Sequence, residues 1–216
     1  MAVPSLWSLP NLLSFSRIVA APILYLLIAW PDRYGFTVAL VVFVLASLSD
    51  TADGEVARRR GQVSPLGVYL DTTADKILVA VLLIALVSVH AVPAWMAAVI
   101  IAREFLVTGL RSYAAALGIV IPAGGWGKAK AAITIGALLL VLLAGDALRG
   151  GVVSSRWGLV DTGLLHHYGP YSIPIWGLLI ATIWTVGSGA EYIREALPIL
   201  TRRPSARSGA AIQPPD

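Results

Sequence analysis

Residues 50–76 read DTADGEVARRRGQVSPLGVYLDTTADK, a charged passage set between an apolar run from Tyr34 to about Ser49 and another that continues to His90. Asp50 and Asp53 are three apart, and Gly54 and Ala57 continue their helical face. Gly67, Asp71 and Asp75 are each four apart, so they line one face of the next helix. A short turn around Gly61 to Ser64 joins the two, which sets the helices side by side, antiparallel, with four carboxylates converging between them. Carboxylates gathered at a membrane edge repel one another and are costly to desolvate, so something cationic must neutralise them. Oxygen-only ligation suits Mg²⁺ or Mn²⁺, and a pair of ions would balance four aspartates. The small residues Gly54, Ala57 and Gly67 leave room for a bulky ligand between the helices, and Arg58 is placed for a phosphate.

The surrounding chain fixes the solvent. Of 216 residues, 57% are apolar and 13% charged, against about 25% charged in a soluble domain. The mean hydropathy is +0.80. A water-soluble fold with so few polar side chains would expose large apolar patches, so an ordinary soluble globule, a disordered chain and a disulfide scaffold are excluded. There is no cysteine, hence no disulfide, thiol nucleophile or thiolate metal site. The net charge of +4 and pI near 9.6 suit anionic lipids. Nucleic-acid binders are not this apolar.

A membrane-crossing helix needs about 20 mostly apolar residues. Six segments qualify: Asn11 to Trp30, Tyr34 to about Ser49, about Leu66 to His90, Val92 to Leu117, about Lys128 to Leu148, and about Tyr171 to Leu200. Arg17 lies inside the first run rather than before it, unlike the layout of a secretory leader. The expected fold is an all-α integral membrane protein with six transmembrane helices, a single catalytic domain over residues 1–200. Residues 1–10 form an interfacial lead-in, and residues 201–216 a basic, disordered tail. With six spans both termini share a side. That side collects Arg58, Arg59, Arg60, Lys128, Lys130, Arg194, Arg202, Arg203 and Arg207, so the termini and the 50–76 passage are expected in the cytoplasm.

Asp50-x2-Asp53-Gly54-x2-Ala57-Arg58-x8-Gly67-x3-Asp71-x3-Asp75 resembles the signature of the CDP-alcohol phosphatidyltransferases, with every fixed position filled. The resemblance extends to the spans, since that family has six transmembrane helices and is typically a homodimer. It implies transfer of a phosphatidyl or related group from a CDP-linked lipid to an alcohol, with release of CMP. It further implies two divalent cations, Mg²⁺ or Mn²⁺, on Asp50, Asp53, Asp71 and Asp75, with Asp75 also the base. CDP-lipid contacts would come from Asn11, Gly54, Ala57, Arg58, Ser64 and Gly67.

The acceptor is read from other cations. Arg103 and Arg111 share a face of the fourth span, Lys128 and Lys130 open the fifth, and Arg17 lies in the first. Several cations around one cavity suggest an anionic acceptor. These segments resemble most the bacterial phosphatidylglycerophosphate synthase branch, whose acceptor is sn-glycerol 3-phosphate. That branch commonly has Pro where this chain has Thr72, and Thr where it has Ala131; neither is a metal ligand. Its membership implies a multi-pass protein of the bacterial cytoplasmic membrane, working from the cytoplasmic face on CDP-diacylglycerol among membrane lipids. Bland readings stand beside these: Arg103 with Glu104 as a structural pair, Lys128 as a flanking charge, Arg17 in a buried pair. The same chemistry on inositol phosphate, or on phosphatidylglycerol as in a cardiolipin synthase, is the alternative. A divalent-cation transporter is a reading from another class.

Overall fold

The computed structural model describes residues 9–60, 65–118, 126–158 and 163–201. For residues 9–10, 50–60, 65–66, 126–128 and 198–201 it describes the backbone only, so the side chains of Asp50, Asp53, Ala57, Arg58 and Lys128 and the surroundings of Gly54 lie outside the description, as does Ser64 altogether. The expected lead-in before Leu9 and the tail beyond Thr201 also fall outside it.

The chain is helical throughout, save for one two-residue hairpin among the described residues. In order come α1 (Leu9–Ala29), α2 (Gly35–Arg60), α3 (Pro65–Ser88), α4 (Ala94–Ala116), α5 (Trp126–Leu148), the short α6 (Val152–Trp157), β1 (His167–Tyr168), β2 (Tyr171–Ser172) and α7 (Ile173–Thr201). The six long helices coincide with the six apolar segments of the sequence. α1, α5 and α7 contain stretches long and apolar enough to cross a membrane, over Asn11–Ala29, Ala129–Leu148 and Ile173–Leu197, and α2 has a shorter apolar stretch over Gly35–Ser49. At 24 and 23 residues α3 and α4 are also long enough, but each carries three charged side chains along its length.

α1 shows how the pattern dictates the packing. Its buried residues are Asn11, Ser14, Arg17, Ala21, Leu24 and Ile28, spaced three or four apart, which is one helical stripe. The first three are polar and the last three apolar. The stripe faces α3, the neighbour with which α1 shares its largest contact, so polar residues meet the Asp71–Asp75 end and apolar ones meet Leu78, Leu82 and Leu86. Around this seam α2 packs on α1 and α5, α5 on α7, α4 on α3 and α7. Phe43, Met96, Ile100, Leu138, Leu142 and Leu178 fill the shared core. Leucines, isoleucines and valines on the outward faces of α1, α2 and α7 stay exposed, as Leu26, Leu45 and Ile183 do, which suits a lipid surround.

The end of the bundle away from the aspartates is tied by polar contacts. Asp146, fully buried near the end of α5, accepts hydrogen bonds from the Thr37 hydroxyl of α2 and from the Ser154 backbone N–H of α6 at 2.8 Å. Arg149 donates to the carbonyls of Ile28 at 3.0 Å and Trp30 at 2.8 Å, satisfying orphan carbonyls at the end of α1.

Candidate active site

The carboxylate end is built by five helices. α3 begins at Pro65, and its four-residue period puts Asp71 and Asp75 on one face, one turn apart. α1 runs antiparallel to α2 beside it and brings Arg17 across. The Arg17 guanidinium, 1% exposed, holds both carboxylates: Nη2 donates to Asp71 Oδ1 at 2.5 Å, and Nη1 donates to Asp75 Oδ1. The Ser14 hydroxyl adds a 3.4 Å contact to Asp71 Oδ1. Asn11 lies buried one turn before Ser14. A buried arginine is tolerable only where its charge is matched, and here two carboxylates match it. Both carboxylates offer hard oxygen donors, the ligand type that Mg²⁺ and Mn²⁺ take, and both are paired with Arg17. Asp50 and Asp53 lie on the third and second turns from the end of α2, in the segment whose side chains are outside the description.

Next to this pair a cavity of about 310 Å³ opens between α2, α3, α4 and α5. Asp71, Asp75, Lys76, Glu104, Lys130 and Thr134 give it its polar wall, and Phe43, Leu78, Val79 and Ile100 belong to its apolar one. Small-molecule sites have this character, mostly apolar with a few convergent polar groups. Lys130 on α5 donates to Glu104 Oε1 on α4, and that oxygen also accepts from Arg103 Nη1 at 3.1 Å. Lys76 donates to the Thr72 carbonyl at 2.9 Å, within its own helix.

The candidate cations thus separate by place. Lys130 shares the cavity with Asp71 and Asp75. Arg17 is committed to the two aspartates. Arg103 turns toward α7, where Nε donates to the Thr185 carbonyl at 3.1 Å and Nη2 to the Ser188 hydroxyl at 2.9 Å. It therefore ties α4 to α7 and lines no part of the cavity. Arg111 is exposed and outside the cavity wall. Its guanidinium stacks over the Tyr192 ring, 5.5 Å from the centroid, yet it lies near enough to Lys76 and Lys130 for their charges to interact. Gly67 lies in the first turn of α3, half-buried. The sequence reading gave no role in the site to Lys76, Glu104 or Thr134. Their signal was there in spacing: Glu104 is seven residues before Arg111, and Thr134 four after Lys130, each on the face of a cation already singled out.

A family profile described as CDP-alcohol phosphatidyltransferase matches residues 7–184. Among curated relatives, the CDP-diacylglycerol--glycerol-3-phosphate 3-phosphatidyltransferase of Pseudomonas fluorescens is 35% identical over 199 residues, covering 89% of this chain and 92% of that one. The protein of the same name from Bacillus subtilis (strain 168) is 38% identical over 150 residues, covering 62% and 78%. Cardiolipin synthase (CMP-forming) of Rattus norvegicus is 45% identical over 101 residues, covering 46% of this chain and 32% of the rat protein. These matches set aside a cation transporter, and with the Asp71–Asp75 seat beside a cation-bearing cavity they identify the chain as a membrane-embedded enzyme belonging to the CDP-alcohol phosphatidyltransferase family.

Proposed function

We propose that this enzyme transfers the phosphatidyl group of CDP-diacylglycerol to sn-glycerol 3-phosphate, giving phosphatidylglycerophosphate and CMP. The observation that carries the choice of acceptor is that Lys76 and Lys130 line the same cavity as Asp71 and Asp75. An acceptor phosphate can sit on the ammonium groups while its hydroxyl faces a carboxylate. The names of the Pseudomonas and Bacillus relatives support the same acceptor. The rat match supports phosphatidylglycerol, but over about a third of that protein, and a lipid acceptor gives less reason for two lysines to converge.

In this reading the acceptor hydroxyl oxygen attacks the phosphorus that bears the diacylglycerol. The bond from that phosphorus to the CMP oxygen breaks, CMP leaves with the electron pair, and the hydroxyl proton passes to the Asp75 carboxylate. Two divalent cations, Mg²⁺ or Mn²⁺, held by Asp50, Asp53, Asp71 and Asp75 would neutralise the diphosphate and the charge growing on CMP. Arg17 supplies the counter-charge of Asp71 and Asp75 and holds the two carboxylates together. Lys130 binds the acceptor phosphate, oriented by Glu104, with Arg111 and Lys128 at the same ends of α4 and α5. Arg103 acts through Glu104. Asn11, Gly54, Ala57, Arg58, Ser64 and Gly67 bound the space for the CDP moiety.

The same reading makes the protein a homodimer of the bacterial cytoplasmic membrane, with one catalytic domain over residues 1–200. All six long helices span the membrane, and both termini and the site face the cytoplasm. The basic residues on the carboxylate side support that orientation.

The test is an acceptor panel. Purified protein with CDP-diacylglycerol and Mg²⁺ should release CMP with sn-glycerol 3-phosphate and form phosphatidylglycerophosphate, identified by mass. Release with inositol phosphate or phosphatidylglycerol instead would reassign the acceptor.

A further inference from the structure

Thr134 is 6% exposed, sits one turn below Lys130 on α5 and lines the cavity. Its hydroxyl, itself almost inaccessible, has no hydrogen-bond partner among the described residues. A threonine inside a membrane helix usually gives its hydroxyl to the carbonyl four residues back, and two others here do so: Thr108 to Glu104 at 2.7 Å and Thr182 to Leu178 at 2.8 Å. The Thr185 hydroxyl is also without a partner among the described residues, but Thr185 lines no part of this cavity. Burying a hydroxyl without a partner is unfavourable, so an unpaired one on a residue that lines a cavity points to a ligand.

We propose that Thr134 is a specificity-determining residue of the acceptor pocket, its hydroxyl hydrogen-bonding the non-reacting hydroxyl of a phosphorylated polyol whose phosphate sits on Lys130. The inference rests on the acceptor reading above. One helical turn, about 5–6 Å along α5, separates the lysine from the threonine, a span that a three-carbon phosphate ester bridges. The reacting hydroxyl then faces Asp75 on α3 across the cavity, and the second hydroxyl faces Thr134. A pocket with a hydroxyl partner discriminates against an analogue lacking that group, because the pocket's polar atom is left unpaired.

The test compares glycerol 3-phosphate with 3-hydroxypropyl phosphate, which keeps the phosphate and one terminal hydroxyl but lacks the second. Each is measured as a competitor for the other's site, by inhibition constant, so the analogue need not react. The wild type should bind glycerol 3-phosphate about tenfold more tightly than the analogue. Thr134→Val, of the same shape, should weaken glycerol 3-phosphate by about tenfold, leave the analogue within about twofold, leave the CDP-diacylglycerol constant unchanged, and not lower the melting temperature. Thr134→Ser should retain most of the discrimination. Thr134→Ala should repeat the valine result should valine disturb the packing. Equal shifts for both acceptors, no shift for either, or a wild type that does not discriminate would overturn the assignment. A wild type that releases no CMP with glycerol 3-phosphate would instead overturn the functional reading, and this inference with it.

Discussion

Replacing Arg17 by methionine removes one charge from the centre of the site while keeping most of the side chain's volume. The guanidinium is 1% exposed, and its two partners, Asp71 and Asp75, are 44% and 42% exposed. Truncating one partner of a fully buried ion pair costs about 3–5 kcal/mol. Here the stranded carboxylates reach water over nearly half their surface, which screens much of that penalty, leaving roughly 2 kcal/mol. For a chain of this size that corresponds to a melting temperature lower by about 4–8 °C. The loss should depend on divalent metal. With Arg17 gone, Asp71 and Asp75 lose the counter-charge it supplies, so Mg²⁺ should recover more stability in Arg17→Met than in the wild type. Thermal unfolding in detergent, run with excess chelator and with saturating Mg²⁺, reads both quantities. A variant that melts like the wild type in chelator, or that gains no more from Mg²⁺, would refute the claim that Arg17 is the counter-charge of these aspartates.

Other outcomes follow from the same contacts. Asp50→Asn, Asp53→Asn and Asp71→Asn should each nearly abolish CMP release, as should excess chelator on the wild type; full turnover in chelator would remove the two-metal reading. Asp75→Asn should still bind CDP-diacylglycerol but turn over about 10²–10⁴ more slowly, the usual loss for a general base, which a paired binding and rate measurement separates. Gly151→Ala should destabilise by about 2–3 kcal/mol, because its Cβ would fall on the Asp146 carboxylate and push it off Thr37 and Ser154; thermal unfolding checks this, with acceptor and donor constants unchanged. A Cβ at Gly189 would lie 3.0 Å from Arg103 Cγ and 3.2 Å from its Nε, so Gly189→Val should loosen the α4–α7 tie and raise the acceptor constant by way of Glu104 and Lys130. An unchanged acceptor constant would leave Arg103 a purely structural clamp.

Much of this arrangement was legible in the sequence because the bilayer and the helix impose simple periods. Apolar run length located five of the six long helices to within a few residues and the start of α2, which runs on past Ser49 through the charged passage to Arg60; the four-residue spacing of Asp71 and Asp75 put them on one face of α3. An arginine inside the apolar run of α1 announced that Arg17 needed a buried partner. Which partner it took was not legible, since Asp71 and Asp75 are more than 50 residues away and the pairing is set by α1 packing on α3. The same limit applies to Arg103, whose adjacent Glu104 was visible as a pair while its bonds to Thr185 and Ser188 depend on where α7 packs. Glu104 bridging to Lys130 was hidden for that reason too. α6 escaped because six residues carry no period to read, and its first turn is held from outside by Asp146, a contact between elements. The hairpin His167–Tyr168 with Tyr171–Ser172 is shorter still.

The central claim is that one cavity between α2, α3, α4 and α5 brings a phosphorylated acceptor against the Asp71–Asp75 seat. An experimental structure with glycerol 3-phosphate and Mg²⁺ bound tests it most directly. The account predicts the acceptor phosphate within hydrogen-bond distance of Lys130 Nζ, with an acceptor hydroxyl turned toward Asp75. A phosphate seated elsewhere, with no contact to Lys130 and the cavity filled by lipid, would contradict it.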